Sequence, residues 1–260
     1  MKKFSEILVG LMWAVLIITL AVTLALNMSF IYKKAIKKNN LVEETGLSQS
    51  EILDNYYVLI DYNNITGPDE LEFPNFTMSE GGRIHFAEVK AIFGAIEWTL
   101  IIDGALTLIL TYFMNRAGWF GYRRWGSMLT LVLPIIVGIL AIFFWDTFFV
   151  KFHELFFDND YWLFSVTEDP VITILPESFF KNSAIFIVEL AIAGAVFLAY
   201  YYRKSLPPTE EEQEFIKKQE ERQKKFDEEE AKRKDLKKGK RLGKHDFNLA
   251  EKANMKLKNK

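Results

Sequence analysis

The 260-residue chain has no cysteine, only three histidines and only seven prolines. Without cysteine there are no disulfide staples, no thiolate metal sites and no cysteine nucleophile. His85, His153 and His245 leave little imidazole to distribute. No glycine-rich phosphate loop and no G-x-S-x-G nucleophile elbow occurs. The net charge of −2 hides two unlike parts: residues 1–202 hold 13 basic and 21 acidic side chains (net −8), and residues 203–260 hold 19 and 13 (net +6). A large soluble core is unnecessary if the apolar residues face lipid.

Four apolar runs, 7–30, 91–113, 128–150 and 184–202, are long enough to cross a bilayer, which takes ~20 helical residues. The Lys2-Lys3 start resembles a signal peptide, but the first run exceeds the ~7–15 residues of such a core and no Ala-x-Ala site follows cleanly. It reads as a retained helix. The chain thus divides into a first transmembrane helix (1–31), an extracellular cap segment (32–90), a second transmembrane helix (91–114) and a cytoplasmic loop (115–127). A third transmembrane helix (128–150), a second cap segment (151–183), a fourth transmembrane helix (184–202) and a cytoplasmic charged tail (203–260) follow. The orientation comes from loop Lys/Arg bias: Lys2, Lys3, Arg116, Arg123, Arg124, Arg203 and Lys204 mark the inner side, so both termini are cytoplasmic. The segments 32–90 and 150–181, each net −4, fall outside. Lys33, Lys34, Lys37 and Lys38 oppose this, but the other three boundaries agree. Aromatic residues such as Trp119, Trp125 and Tyr200 flank the membrane edges.

The first outer segment reads as a small mixed α/β cap. Ser48-Gln49-Ser50-Glu51 is a capping box, and Ile52, Leu53, Tyr56, Leu59 and Ile60 follow at helical spacing, so a helix is predicted to end near Asn63-Asn64. Gly67-Pro68 turns the chain, Leu71-Glu72-Phe73 reads as extended, and Ser79-Glu80-Gly81-Gly82 reads as another turn. Tyr161-Trp162-Leu163-Phe164 is a candidate strand pairing with the first segment.

Ionisable side chains inside spans cost ~2.5–3.5 kcal/mol at a helix centre and are functional candidates by default. Glu97, Asp146 and Glu189 fall in the outer half, and Thr19, Thr23 and Asn27 line one face of the first span at the same level. Asp103, near mid-membrane, reads as structural. Interhelical hydrogen bonding is the alternative role for each of these groups. His153 follows Asp146 by seven residues, so a continuous helix would place both on one face, where the carboxylate fixes the imidazole tautomer. His153-Glu154 lacks the second histidine of an H-E-x-x-H site, so the metal signal is weak and no metal or cofactor is expected.

Phe152-His153-Glu154-Leu155-Phe156, Asn159-Asp160, Trp162, Phe164, Asp169-Pro170, Leu175-Pro176-Glu177 and Phe179-Phe180 form a long spaced motif. With Asn55-Tyr56, Tyr62 and Ile84-His85-Phe86-Ala87-Glu88-Val89-Lys90, it resembles the lipoprotein intramolecular transacylase family of Gram-positive bacteria. The likeness covers residues 5–202 and stops at the tail; Glu88 stands where the family usually has Asp. The resemblance implies an enzyme that moves an acyl chain from the glyceryl sn-2 ester of a diacylglyceryl lipoprotein to the amino-terminal cysteine amine, giving the lyso form. It also implies that His85 and His153 are catalytic, at the cap–membrane interface.

The chemistry agrees with the residues. Ester-to-amide transfer within one substrate needs a base and an oxyanion donor rather than an enzyme nucleophile, and two histidines can divide those tasks. Asp146, Glu97, Glu189 and Glu88 are expected to support or orient them. Tyr56, Phe86, Phe152, Tyr161, Trp162 and Phe164 are expected to wall the pocket, with cap core or interfacial belt as the plainer role for most. The expected partners are diacylglyceryl lipoproteins and membrane lipid, not nucleic acid, with the oligomeric state open. A non-catalytic transport or ion path through the acidic spans is the alternative function.

In the tail, Thr209-Glu210-Glu211-Glu212 makes a capping box, and Glu214/Lys218, Glu220/Lys224, Glu221/Lys225 and Glu228/Lys232 recur at i, i+4. A solvated single helix to about residue 238 is predicted. The basic run 237–244 is a candidate surface for anionic lipid or nucleic acid. His245 lies in the tail and is excluded from the site.

Overall fold

The computed structural model describes residues 1–231, 233 and 234. The end of the tail helix near residue 238, the basic run 237–244, the Lys232 pair and His245 lie outside the described residues. Two units are distinguished, residues 1–205 and 206–260.

Four helices of the first unit are long and apolar enough to cross a membrane: α1 (Lys2–Asn27), α5 (Glu80–Arg116), α6 (Gly121–Phe143) and α8 (Glu177–Lys204). Between them lie α2 (Phe30–Lys38), α3 (Leu41–Thr45), α4 (Gln49–Asn63), α7 (Trp145–Phe156) and a 3-10 turn, Pro170–Ile174. Close approaches fix the directions of the long helices. Near its start, α1 meets the start of α6 through Gly10 and Gly126, while Gly126 also meets Leu198 near the end of α8. Trp13 Nε1 donates to Thr111 Oγ1 near the end of α5 (2.9 Å). Thus α1 and α6 run one way, α5 and α8 the other.

Most buried positions on these helices are small: Gly10, Ala14, Ala21 and Ala25 in α1, Gly126, Thr130, Gly138 and Ala141 in α6, Ala191 and Ala195 in α8; the larger Val9, Met114, Tyr122 and Leu198 are buried at the end away from the cap. A Cβ added at Gly10 would stand 2.6 Å from Trp125 Cβ and 2.8 Å from Gly126 N, so only glycine permits that crossing. Lipid is as apolar as leucine, so helices there gain by close backbone approach rather than by hiding large side chains. Ile101, Ile102, Leu108 and Ile136 accordingly point outward.

At the other end of the bundle α2, α3, α4 and the segments 64–79 and 157–176 pack into a cap. Its core joins Tyr32, Ile36, Leu41, Ile52, Tyr56, Tyr62, Phe86, Val171 and Ile174. Tyr32 stacks on Tyr56 (centroids 3.9 Å apart, planes 7°) and donates its hydroxyl to Ile174 O (2.8 Å). The capping box at Ser48 is formed, with Glu51 N and Ser48 N satisfied reciprocally, and α4 ends at Asn63.

Three features differ from the sequence expectation. The cap is helical with irregular connections: among the described residues there is no strand, so the mixed α/β expectation does not hold. Its irregular backbone finds side-chain partners instead of a ladder. Asn75 N donates to Asn55 Oδ1 (3.2 Å), Ile65 N to Glu97 Oε2 (2.8 Å) and Ser79 N to Asp169 Oδ1 (2.8 Å). The 161–164 segment turns, with Leu163 N donating to Asp160 O. Next, Ser79 is a helix N-cap rather than a turn, its Oγ accepting from Gly82 N (2.9 Å), so α5 begins 11 residues before the apolar run. Finally, the third apolar run is interrupted at Phe144 (φ −135, ψ 37), and α7 starts anew with Asp146 in its first turn, where a carboxylate complements the exposed amides.

In the second unit Thr209 caps a helix over 210–231. Glu212 N donates to Thr209 Oγ1 and Thr209 N to Glu212 Oε2, and Glu214–Lys218 pairs as expected (2.6 Å).

Candidate functional site

His85 belongs to the second turn of α5. At about 1.5 Å per residue the 37 residues of α5 exceed the ~30 Å hydrocarbon thickness, so its charged first turns (Glu80, Arg83, Glu88, Lys90) stand clear of the lipid core. The helix is held there by its start. Ser79 N and Oγ both donate to the buried carboxylate of Asp169 (2.8 Å each), which lies just ahead of the 3-10 turn. A Cβ at Gly82 would stand 2.3 Å from Asp169 Oδ1, and one at Gly81 2.9 Å from Tyr161 Cδ1, so the glycine pair lets the second cap segment close on α5.

His153 comes from α7. The break at Phe144 re-aims this helix, and the two imidazoles meet with ring centres 6.1 Å apart and planes 32° apart. Aromatic rings surround them. His85 has Phe157 (4.7 Å), Phe164 (5.3 Å) and Phe86 (5.8 Å). Around His153 are Phe149 (4.2 Å), Trp162 (4.7 Å), Phe157 (5.6 Å) and Phe152 (5.7 Å).

The two rings differ in their bonding. His153 Nδ1 lies 2.7 Å from Phe149 O. A carbonyl only accepts, so Nδ1 carries the proton of the neutral ring and Nε2 presents a lone pair. His85 is 6% exposed, and its Nδ1 is buried without a hydrogen-bond partner. An orphaned acceptor is cheaper to bury than an orphaned N–H, so the His85 proton belongs on Nε2. Burial pushes His85 down to about 4, with the neighbouring His153 adding to the effect. Burial also lowers His153, against its bond to Phe149 O. Both imidazoles are neutral near pH 7, one with an open lone pair and one with an open N–H.

Of the six aromatic residues singled out from sequence, Phe86, Phe152, Trp162 and Phe164 adjoin the histidines. Tyr56 lies in the cap core against Tyr32 and Phe179, and Tyr161 packs on the start of α5. Sequence reasoning missed Phe149 and Phe157, whose signal was their spacing of four residues on either side of His153.

The four carboxylates also separate. Glu88 Oε1 accepts from Asn159 Nδ2 (2.9 Å), tying the segment after α7 to α5 one turn beyond His85. Glu97 is buried and holds Ile65 N. Asp146 and Glu189 are exposed, and His153 Nδ1 is held by Phe149 O rather than by Asp146. Of the polar groups of the first span, Thr19 Oγ1 donates locally to Val15 O (2.9 Å), Asn27 bonds reciprocally across to Asn64 at the end of α4 (3.2 Å), and Thr23 Oγ1 is buried without a hydrogen-bond partner. Among the described residues no three His, Cys, Asp or Glu side chains converge to hold a metal ion.

Comparison with known proteins bears on this arrangement. The family described as lipoprotein intramolecular transacylase Lit matches residues 7–180. The in meso structure of the membrane-integral lipoprotein intramolecular transacylase Lit from Bacillus cereus is similar to this chain at 30% identity. It superposes with a TM-score of 0.77 over 79% of this chain and 95% of its own. Two further structures of that enzyme, carrying H85R and H85A mutations in its own numbering, match at 30% and 31% identity, each with a TM-score of 0.71. The H85R structure is covered over 92% of its length and the H85A structure over 93%, against 79% and 78% of this chain. Curated proteins provide no significant match.

Proposed function

The chain belongs to the lipoprotein intramolecular transacylase family, and we propose that it transfers the sn-2 acyl chain of a diacylglyceryl lipoprotein to the amino-terminal cysteine amine, using His153 and His85. The observation that carries this reading is the paired, oppositely poised imidazoles in an aromatic enclosure.

In the proposed step, the substrate amine attacks the ester carbonyl carbon while His153 Nε2 takes a proton from nitrogen. The C–N bond forms, and His85 Nε2–H donates to the resulting oxyanion. The C–O bond to glycerol then breaks, and the proton on His153 passes to the leaving glyceryl oxygen. One proton has moved from nitrogen to oxygen, both histidines are restored, and an amide and a free hydroxyl remain. Neutral imidazole suits both roles: a base must be unprotonated, and a neutral N–H donor needs no counter-ion in a buried site. Holding amine and ester of one molecule together supplies much of the remaining rate. The surrounding rings exclude water, which would otherwise hydrolyse the ester. We place the cap on the extracellular face, with Lys2, Lys3, Arg116, Arg123, Arg124, Arg203 and Lys204 inside.

Replacing His153 or His85 with Ala tests the reading. Mass spectrometry of lipoprotein amino termini in cells carrying each variant is expected to show the N-acyl lyso form reduced by about 10²–10⁴-fold, the range of general acid–base catalysis. Undiminished lyso form in both variants would overturn it.

A further inference from the structure

A hollow of about 330 Å³ lies on the side of α5 away from the histidines. Gly94, in its floor, follows His85 by nine residues, about two and a half helical turns, so the two face opposite ways. Ala87, Ala91 and Gly94 form the floor, the start of the α4–α5 connection at Ile65 forms the opposite wall, and the half-exposed Trp98 lines the end furthest along α5. That connection is fastened to α5 at two levels. Glu97 Oε2 holds Ile65 N, and Lys90 Nζ donates to the carbonyls of Gly67 and Pro68 while standing 4.4 Å over the Tyr62 ring. A Cβ at Gly94 would find only Ile65 Cγ2, at 3.8 Å, so the floor has room above it.

Lys90 is the ionisable side chain that lines this hollow; the buried Glu97 carboxylate adjoins its wall and is engaged by Ile65 N. Lys90 is met by two neutral carbonyls and a ring, and among the described residues no carboxylate pairs with it. It stands where α5 passes from its charged first turns into the apolar run. Trp98 lies eight residues further on, about 12 Å along the helix. A cation met by carbonyls but by no carboxylate, beside a small-residue groove that reaches an indole, matches a phosphodiester joined to an acyl chain. A diacylglyceryl group carries no phosphate and would bring Lys90 no counter-charge. The volume is at the low end of small-ligand sites, ~300–1,000 Å³, so it seats a headgroup and the first part of one chain.

We propose that this hollow binds one glycerophospholipid, with its headgroup phosphate against Lys90 Nζ and one acyl chain crossing Ala91 and Gly94 toward Trp98. The site is independent of the transacylation reading, because it lies on the opposite face of α5 and uses neither histidine.

The test is a titration of the full-length protein in detergent micelles with phosphatidylglycerol, diacylglycerol or inorganic phosphate, with bound molecules counted by native mass spectrometry. One phosphatidylglycerol is expected to bind roughly fivefold to tenfold more tightly than diacylglycerol, as a single interfacial lysine contributes. Lys90→Gln is expected to abolish that preference and Lys90→Arg to keep it. Gly94→Leu, which fills the groove, is expected to weaken both lipids about tenfold or more. If Lys90→Gln loosens the connection it clamps, Gly94→Leu decides alone. Equal binding of both lipids by the unaltered protein, undiminished phosphatidylglycerol binding by Gly94→Leu, or displacement of the lipid by inorganic phosphate would each overturn the proposal.

Discussion

In the cap the fully buried side chains include Tyr32, Tyr56, Ile36, Leu41, Ile52 and Ile174, whereas the bundle, outside a small Val9–Met114–Tyr122 cluster at its far end, buries Ala14, Ala21, Ala191 and Ala195 and leaves Ile101, Leu108 and Ile136 outside. The two regions solve burial under different solvents. Against water, large apolar side chains gain by leaving the surface. Against hydrocarbon they gain nothing, and close backbone approach through small residues decides the packing. The histidines sit where the two regimes meet, and they are surrounded by aromatic rings that belong to neither region alone: Phe86 is shared with the cap core, while Phe149 and Phe152 come from the re-aimed α7.

Paired truncations put this contrast to its hardest test. Ile52→Ala in the cap is expected to cost ~2–5 kcal/mol, the penalty of a core cavity. Ile136→Ala, about half exposed on α6, is expected to fall within ~0.5 kcal/mol. Unfolding of both in micelles measures the difference, and equal penalties would dissolve the distinction.

A smaller effect is expected from pH at the junction. His85 has its folded value depressed to about 4 from the ordinary 6.5, so the unfolded chain binds more protons between those two values. Its contribution is present above about pH 6.5 and is lost as pH falls toward about 4, on the order of 3 kcal/mol. Thermal melts from pH 7 down to pH 4 check this against His85→Phe, whose profile should be flatter. Identical slopes for the two proteins would mean that His85 is not held neutral by burial. Activity should decline over the acid side as well, because the His153 lone pair is needed.

The smallest of the three effects concerns the seam that joins the cap to α5. Asp169→Ala removes a carboxylate that accepts from Ser79 N and Ser79 Oγ, and should cost about 2 kcal/mol, the range for bonds to a charged acceptor. Hydrogen exchange at the first turn of α5 should rise with it. Protection there equal to the unaltered protein would show that Asp169 carries no load at the helix start.

Much of this was legible in the residues. Four apolar runs announced four long helices because their length and lack of charge admit little else, and Ser48-x-x-Glu51 announced α4 because a capping box is a local device. The motif around His85 and His153 led to the family through residues whose spacing survives in one dimension. The cap was misread where 71–73 and 161–164 looked extended. An extended segment becomes a strand only if a neighbour offers its backbone; here Tyr161 N finds Asn159 Oδ1 and Leu163 N finds Asp160 O within the turn itself, and among the described residues no strand pairs with 71–73. The break at Phe144 carries no proline or glycine, so nothing in its local composition marks it.

The sequence by itself determined that there are four long apolar helices, the charge asymmetry and the two histidines, since hydropathy and residue identity are properties of short stretches. Only the tertiary structure decided that Phe149 O rather than Asp146 holds His153, that Phe157 lies against both rings, and that Lys90 stands over a hollow opposite His85. Those facts depend on where α7 turns and how the cap closes on α5. A hydrogen-bond partner is chosen by position in space, and position is settled only when every element has packed.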